Sequence, residues 1–342
     1  MHLDKSIPEE ERNMNNTLTK QEVIKDRYKI KEIIGQGGMG CVYLADDLRL
    51  SGRLCALKAV YYEKNLPDDV INQTREQFKR EATVLARLDH PNLPKVSDFF
   101  SDQKRDYLVM DFVPGEDLRT LMIEDKKKGN FLEERKVLNW ASQIADALIY
   151  LHNQDPAILH RDIKPSNIKL TPNGIIKLVD FGLVKILVYG ENTVTVVQGR
   201  GSAYYTPLEQ YGGDTGHTDP RSDVYSFGAT LFHLLTNKAP SEARERFLEK
   251  DNEIPLRKIN KKISPRTEQA IMVAMNIHPD QRFQSISELK EALLGDWEPR
   301  LNPNGAMPAP KIWEIIKSTR EQILVSAALI MLIISLVITW LH

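Results

Sequence analysis

The chain has 342 residues, enough for two domains or one large two-lobed one, and with 42% hydrophobic and 27% charged residues it can bury a sizeable core. Its 46 basic and 47 acidic residues leave a formal charge of −1, which excludes a broadly basic nucleic-acid binder. Two cysteines, Cys41 and Cys55, exclude a disulfide scaffold and a Cys-rich zinc site.

Residues 1–26 are polar, with no apolar stretch after Met1. They carry no secretory signal and are expected to form a disordered N-terminal tail. From Tyr28, alternating apolar residues lead into Gly35, Gly37 and Gly40, and Val42-Tyr43-Leu44 then resumes a strand pattern. A lone G-x-G-x-x-G is weak evidence, and three readings compete. A dinucleotide-binding loop needs a helix directly after the glycines, but β-type residues follow here. A Walker A loop needs Gly-Lys-Ser/Thr, but Cys41 follows Gly40. The third reading is a β-hairpin whose turn lets backbone N–H groups approach phosphates. A plain glycine turn stands beside all three.

Residues 54–60 form an apolar strand with one charge, Lys58. Burying a lone lysine is costly unless a phosphate or a carboxylate pairs with it. Residues 76–88 read as a helix with Phe78, Ala82, Leu85 and Ala86 on one face. Glu81 shares the inward side with Leu85, although a solvated helix charge is the bland alternative.

At the far end, residues 296–322 read as a linker and juxtamembrane segment, rich in Pro, Gly and Asn in their first half. Residues 323–341 carry no charge, and a helix of that length spans ~28 Å against a ~30 Å hydrocarbon core. Lys311, Lys317 and Arg320 precede the stretch, which puts that flank in the cytoplasm. The expectation is one C-terminal transmembrane helix in the cell membrane, with a cytoplasmic domain over 27–295. Only His342 follows the span, so any signal is expected from the cytoplasm, the bilayer or a partner helix.

Residues 159–170 read LHRDIKPSNIKL and residues 175–185 read IIKLVDFGLVK. With these the chain resembles a eukaryotic-type (Hanks-type) serine/threonine protein kinase of the bacterial PknB-like group. The matching segments are Gly35-Gln36-Gly37-Gly38-Met39-Gly40-Cys41-Val42, Ala56-Leu57-Lys58, His160-Arg161-Asp162 with Lys164 and Asn167, and Asp180-Phe181-Gly182. They stand in the family's order with none missing. The resemblance implies an α+β, bilobal protein-kinase fold. A small β-rich lobe would occupy 27–113, a large, mainly helical lobe 114–295, and ATP would bind between them.

Phosphoryl transfer needs positioning and charge stabilisation more than covalent chemistry. By resemblance, the loop from Ile34 to Val42 covers the triphosphate through backbone N–H groups. Lys58 holds the α- and β-phosphates and pairs with Glu81. Asp162 accepts the substrate hydroxyl proton, and Lys164 neutralises the transferred phosphoryl group. Asn167 and Asp180 hold two Mg²⁺, for which Mn²⁺ can substitute. Val42 and Ala56 roof the adenine, Met110 is the gatekeeper, and Asp111-Phe112-Val113 is the hinge. Asp117 meets the ribose.

Lys169 departs from the apolar residue common at the floor, and its methylene stem could cover the ring instead. Cys41 reads as a small tolerated residue rather than a redox sensor. Thr206-Pro207-Leu208-Glu209 takes the place of the family's Ala-Pro-Glu, and Glu209 is expected to pair with Arg282. Asp223 should hold the catalytic loop, and Ser202 should contact Asp162 and Lys164.

Arg161 and Lys185 imply control by phosphorylation at Thr193 or Thr195, carried out between two copies on the membrane. The implied partners are ATP, proteins bearing Ser or Thr, the bilayer and a second copy of the chain, with no nucleic acid. Two rival readings remain. A membrane-tethered pseudokinase scaffold would lose one of Lys58, Asp162, Asn167 or Asp180, and all four are present. A small-molecule kinase of similar fold is disfavoured by the stretch from Gly212 to Gly228 and the Thr/Ser-rich loop before it.

Overall fold

A computed structural model describes residues 17–37, 40–61, 68–102, 105–180, 202–211, 218–249 and 254–295. The chain divides into two units, Met1–Glu298 and Pro299–His342, and the described residues all belong to the first.

The small lobe is built on strands β1 (Val23–Ile24), β2 (Tyr28–Gly37), β3 (Gly40–Asp47), β4 (Leu54–Tyr61), β5 (Val96–Ser101) and β6 (Arg105–Asp111). They pair antiparallel in the order β1-β2-β3-β4-β6-β5. Successive side chains of a strand point to opposite faces, and the sequence uses both. Cys55, Leu57 and Ala59 of β4 join Tyr107 and Val109 of β6 in a core on the outer face. Ala56, Leu108 and Met110 face the other way, into a core shared with Phe78, Ala82 and Leu85 of helix α1 (Asp68–Leu85). Lys58 has the parity of Ala56 and therefore points to this inner side. Cys41 and Cys55 are buried and free, and both belong to the outer-face core.

The expected tail over 1–26 needs correction. Leu18 is buried against the outer face, and its backbone N–H donates to the Tyr43 hydroxyl at 3.0 Å. Gln21 and Glu22 exchange backbone hydrogen bonds with Ile30, and β1 pairs with β2. The lobe therefore begins by residue 17. The cause is the apolar outer face of Tyr28, Tyr43 and Leu57, which needs a cover. The covering segment offers too few apolar residues to show a period in the sequence.

The large lobe contains α2 (Leu118–Lys127), α3 (Glu134–His152), α4 (Pro220–Thr236), α5 (Ala243–Leu248), α6 (Leu256–Ile259), α7 (Pro265–Ala274) and α8 (Ile286–Leu294). Helix α3 buries Val137, Ala141, Ile144, Leu148 and Leu151, the stripe that a period of 3.6 requires. Helix α4 is buried all round and forms the centre of the lobe. It starts with Asp219 capping the Arg221 N–H and with Pro220 in the first turn, where a missing N–H costs nothing. Gly228 lets α4 lie against α7, because a Cβ there would meet Ala274 Cβ at 2.9 Å.

A small sheet of β7 (Glu116–Asp117), β8 (Ile168–Leu170) and β9 (Ile176–Leu178) lies beside these helices. The loop between α3 and β8 carries the His-Arg-Asp segment. The linker and the candidate span at 323–341 lie outside the described residues. Among the described residues, no helix is long and apolar enough to cross a membrane.

Candidate active site

Strands β2 and β3 form the expected hairpin, with Gly37 opposite Gly40 in register. A Cβ on Gly40 would lie 1.9 Å from the Ala59 carbonyl oxygen, so only glycine allows β3 to approach β4 this closely. Gly38 and Met39, at the tip, lie outside the described residues. Gly35 and Gln36 are on β2, and Ile34 beside them is exposed. Val42 and Ala56 lie on adjoining strands, Val42 opposite Lys58 in register.

Lys58 reaches out of β4 to the carboxylate of Asp180. The expected Lys58–Glu81 pair is not made. Glu81 is buried, accepts a hydrogen bond from Gln77 one turn back at 3.1 Å, and turns its charge on Arg161. Gln77, an i,i+4 neighbour on the same helix, binds that carboxylate, and the lysine binds Asp180 instead. Burial pushes the Asp180 carboxyl up, but Lys58, and then Lys164, outweigh it and hold the group below the usual carboxylate range.

The His-Arg-Asp loop hangs from helix α4. Asp223, wholly buried, accepts the backbone N–H of His160 at 2.9 Å and of Arg161 at 2.8 Å, and its Oδ2 lies 2.8 Å from His152 Nε2. Burial raises the Asp223 pKa, but these partners outweigh it and hold the group below its ordinary value. Thr230 on the same helix donates to the Ile163 carbonyl at 3.0 Å. Arg161 takes a φ of 60°, a left-handed conformation rare outside glycine. Asp180 does the same at 59°.

On this frame Asp162 is presented with its neighbours. Its Oδ2 accepts from Lys164 Nζ at 2.7 Å and from Asn167 Nδ2 at 2.9 Å. Lys164 Nζ also donates to Ser202 Oγ at 2.9 Å, so the expected Ser202 contact is made through the lysine. With its amide nitrogen committed to Asp162, Asn167 keeps Oδ1 as an oxygen donor. Oδ1 of Asn167 and the Asp180 carboxylate are hard oxygens of the kind Mg²⁺ prefers, and Mg²⁺ fills its remaining positions with water and phosphate.

The expected hinge follows β6. Met110 and Val113 are buried, and Asp111 bonds Arg53 at 3.1 Å. Asp117 caps α2 through Thr120, so this carboxylate has a structural task besides any ribose contact. Lys169 stands opposite Asp117 in the β7–β8 pair, with its ammonium 5.9 Å from the centre of the Phe112 ring. Arg282, wholly buried, donates to both Glu209 oxygens at 2.7 and 3.0 Å, and to the carbonyls of Asn276, Arg221 and Ile277. All five of its N–H groups are used. Thr193, Thr195 and Lys185 lie outside the described residues.

A profile of the protein kinase domain matches residues 28–298. The chain belongs to the protein kinase family. This kinase domain is 35% identical over 278 residues to a probable serine/threonine-protein kinase of Clostridium acetobutylicum, covering 79% of the chain and 40% of that relative. It is 32% identical over 305 residues to serine/threonine-protein kinase PknB of Mycolicibacterium smegmatis, covering 86% of the chain and 46% of the relative. The chain thus spans less than half the length of these curated relatives. Among solved structures, the PknI kinase domain of Mycobacterium tuberculosis aligns with a TM-score of 0.60 at 26% identity, over 81% of this chain and 98% of that one. The apo form of PpkA-294 aligns at 0.63 and 26%, over 81% and 99%. The bilobal kinase fold expected from the motifs is the fold observed. His152 and Gln77, which position Asp223 and Glu81 in this domain, carry no sequence signal of their own, because each is an ordinary polar residue on a helix.

Proposed function

We propose that this chain is an ATP-dependent serine/threonine protein kinase, tethered to a membrane through residues 323–341 and switched on by phosphorylation of its own activation loop. The observation that carries the reading is the Asp162 carboxylate with Lys164, Asn167 and Ser202 gathered around it. Lys164 and Asn167 both hold Oδ2, which leaves Oδ1 to accept the proton of a substrate hydroxyl. Lys164 then stands beside the attacking oxygen as a positive charge for the phosphoryl group in flight. Lys58, on the roof strand, supplies a second positive charge for the nucleotide phosphates. Asn167 and Asp180 would hold a divalent cation, which when bound neutralises phosphate charge. The glycine hairpin of β2 and β3 fits a backbone that must come close to phosphate oxygens.

Arg161 supports the switch. Its guanidinium is buried, and Nε and Nη2 have no hydrogen-bond partner among the described residues. Burial lowers its pKa, so an anion placed there would relieve the cost. A phosphate on Thr193 or Thr195, with Lys185 as a second cation, supplies such an anion.

Transfer of radiolabelled phosphate from ATP to a generic Ser/Thr protein tests the activity. Asp162→Asn should abolish nearly all turnover, and Lys58→Met should raise the ATP KM and lower kcat together. Wild-type kcat in Asp162→Asn would end the kinase reading. Phosphatase treatment beside a Thr193→Ala/Thr195→Ala variant tests the switch, and unchanged activity in both refutes it. Fractionation tests the tether: a chain without residues 311–342 should move from the membrane pellet to the supernatant.

A further inference from the structure

Away from the cleft, a cavity of about 650 Å³ lies in the large lobe, where the end of α2 and residues 129–131 face the C-terminal end of α4. Its size falls within the range of roughly 300–1,000 Å³ typical of ligand sites. Lys126 and Lys238 line it, and among the described residues no carboxylate does. Lys126 also donates to the Asn237 carbonyl at 3.1 Å, which fixes one ammonium at the rim. Phe131, partly exposed, adds an apolar edge for methylene groups.

The tie between the cavity and the His-Arg-Asp loop points to an extended acidic peptide rather than a free anion. Asn237 belongs to the wall itself: its side-chain amide donates to the Asn130 carbonyl at 2.8 Å. The cavity wall is also tied to the His-Arg-Asp loop. His233 lines the cavity and its Nδ1 lies 2.6 Å from the Tyr205 hydroxyl. Tyr205 ends the turn that follows Ser202, and Ser202 holds Lys164. Burial first, then Lys126 and Arg119, push the His233 pKa down to about 4. Burial pushes the Tyr205 hydroxyl up, so it keeps its proton and donates to Nδ1. The remaining ring nitrogen then carries the imidazole proton, so the wall itself adds a donor and no negative charge.

We propose that this cavity is a docking subsite for acidic side chains of the protein substrate, received by Lys126 and Lys238 while the neighbouring residues are led past Tyr205 to Asp162. The proposal rests on the kinase reading above and adds a substrate class to it. The test uses the full-length chain in detergent at low salt. Fluorescent peptides carry one serine preceded or followed by glutamates, and matched peptides carry glutamine or lysine in their place. Their binding is followed by anisotropy, and their phosphorylation is measured in the same samples.

The glutamate peptide should bind about tenfold more tightly than the glutamine peptide, and the gap should close as salt rises. The Lys126→Glu/Lys238→Glu variant should lose that preference and gain one for the lysine peptide, while Lys126→Arg/Lys238→Arg should keep the original. Equal binding of the glutamate and glutamine peptides to wild type, or a preference that survives the charge reversal, would overturn the proposal. Absence of phosphate transfer to every peptide would count against the kinase reading alone, because the binding comparison decides the subsite without turnover.

Discussion

Replacing Asp223 by Asn removes one accepting oxygen from a buried carboxylate that holds three partners. The amide has a single oxygen. Placed where Oδ2 was, it keeps His152 and the His160 N–H, and the Arg161 N–H then faces an NH₂ group. The other orientation strands two partners instead of one. The smaller loss leaves one buried N–H without an acceptor, about 1–3 kcal/mol, and also removes the charge from two remaining hydrogen bonds. The sum is about 3–4 kcal/mol, close to the usual cost of breaking a buried charged contact. At roughly 2–4 °C per kcal/mol, the melting temperature should fall by about 10 °C.

The effect on turnover follows from the backbone. Arg161 sits at a φ of 60°, a conformation that costs a non-glycine residue about 1–2 kcal/mol, and its N–H bond to Asp223 is what holds it there. Once released, it carries Asp162 with it, and a displacement of about 1 Å costs on the order of 100-fold in kcat. Calorimetry and phosphate transfer to a generic protein substrate, both at neutral pH, give the two numbers. An Asp223→Asn variant that melts within about 2 °C of wild type and keeps its kcat would refute the reasoning.

Arg282→Lys should cost about 3 kcal/mol or more, because three rotatable donors replace five fixed ones and leave buried acceptors unpaired; a denaturant titration showing a loss under about 1 kcal/mol would count against it. His233 makes stability depend on pH. Its folded pKa of about 4 lies below the unfolded value of 6.5, so the unfolded chain binds a proton that the folded chain refuses. Stability should therefore fall by up to about 3 kcal/mol as pH drops from about 6.5 to 4, and His233→Gln should flatten that slope in a pH series of melts. Leu18→Ala should weaken the small lobe by about 2–3 kcal/mol, seen as faster amide exchange across β1 and β2; unchanged protection there would mean that the residues before Val23 contribute nothing.

The parts of the site legible in the sequence were those fixed by local chain geometry. Gly37 and Gly40 announce a turn between strands, and Lys58 announces itself as a lone charge in an apolar strand. The short spacing of Asp162, Lys164 and Asn167 leaves them little choice but to meet, and they do. The pairing of Arg282 with Glu209 was also legible, although only through the family resemblance. The partner of Lys58 was not. Which of two carboxylates a flexible ammonium reaches depends on where α1 sets Glu81, and Gln77 influences that by one hydrogen bond. The start of the small lobe was hidden for a related reason. Leu18 is a single apolar residue in a polar stretch, and its burial is required by the aromatic face of a sheet formed later in the chain.

The location of the two thiols gives this protein a built-in clock. Burial pushes the Cys55 thiol up to about 11, so at neutral pH only about one molecule in 10⁴ carries the reactive thiolate even if reagent could reach it. Cys41 is shielded in the same aromatic layer, and no other cysteine exists in the chain. Alkylation under native conditions therefore waits for the outer layer of the small lobe to come apart, and its rate reads the frequency of that event. The large lobe, having no thiol, is silent in the same experiment. Comparing the alkylation rate with global melting would show whether the two lobes open together or whether the small lobe breathes on its own.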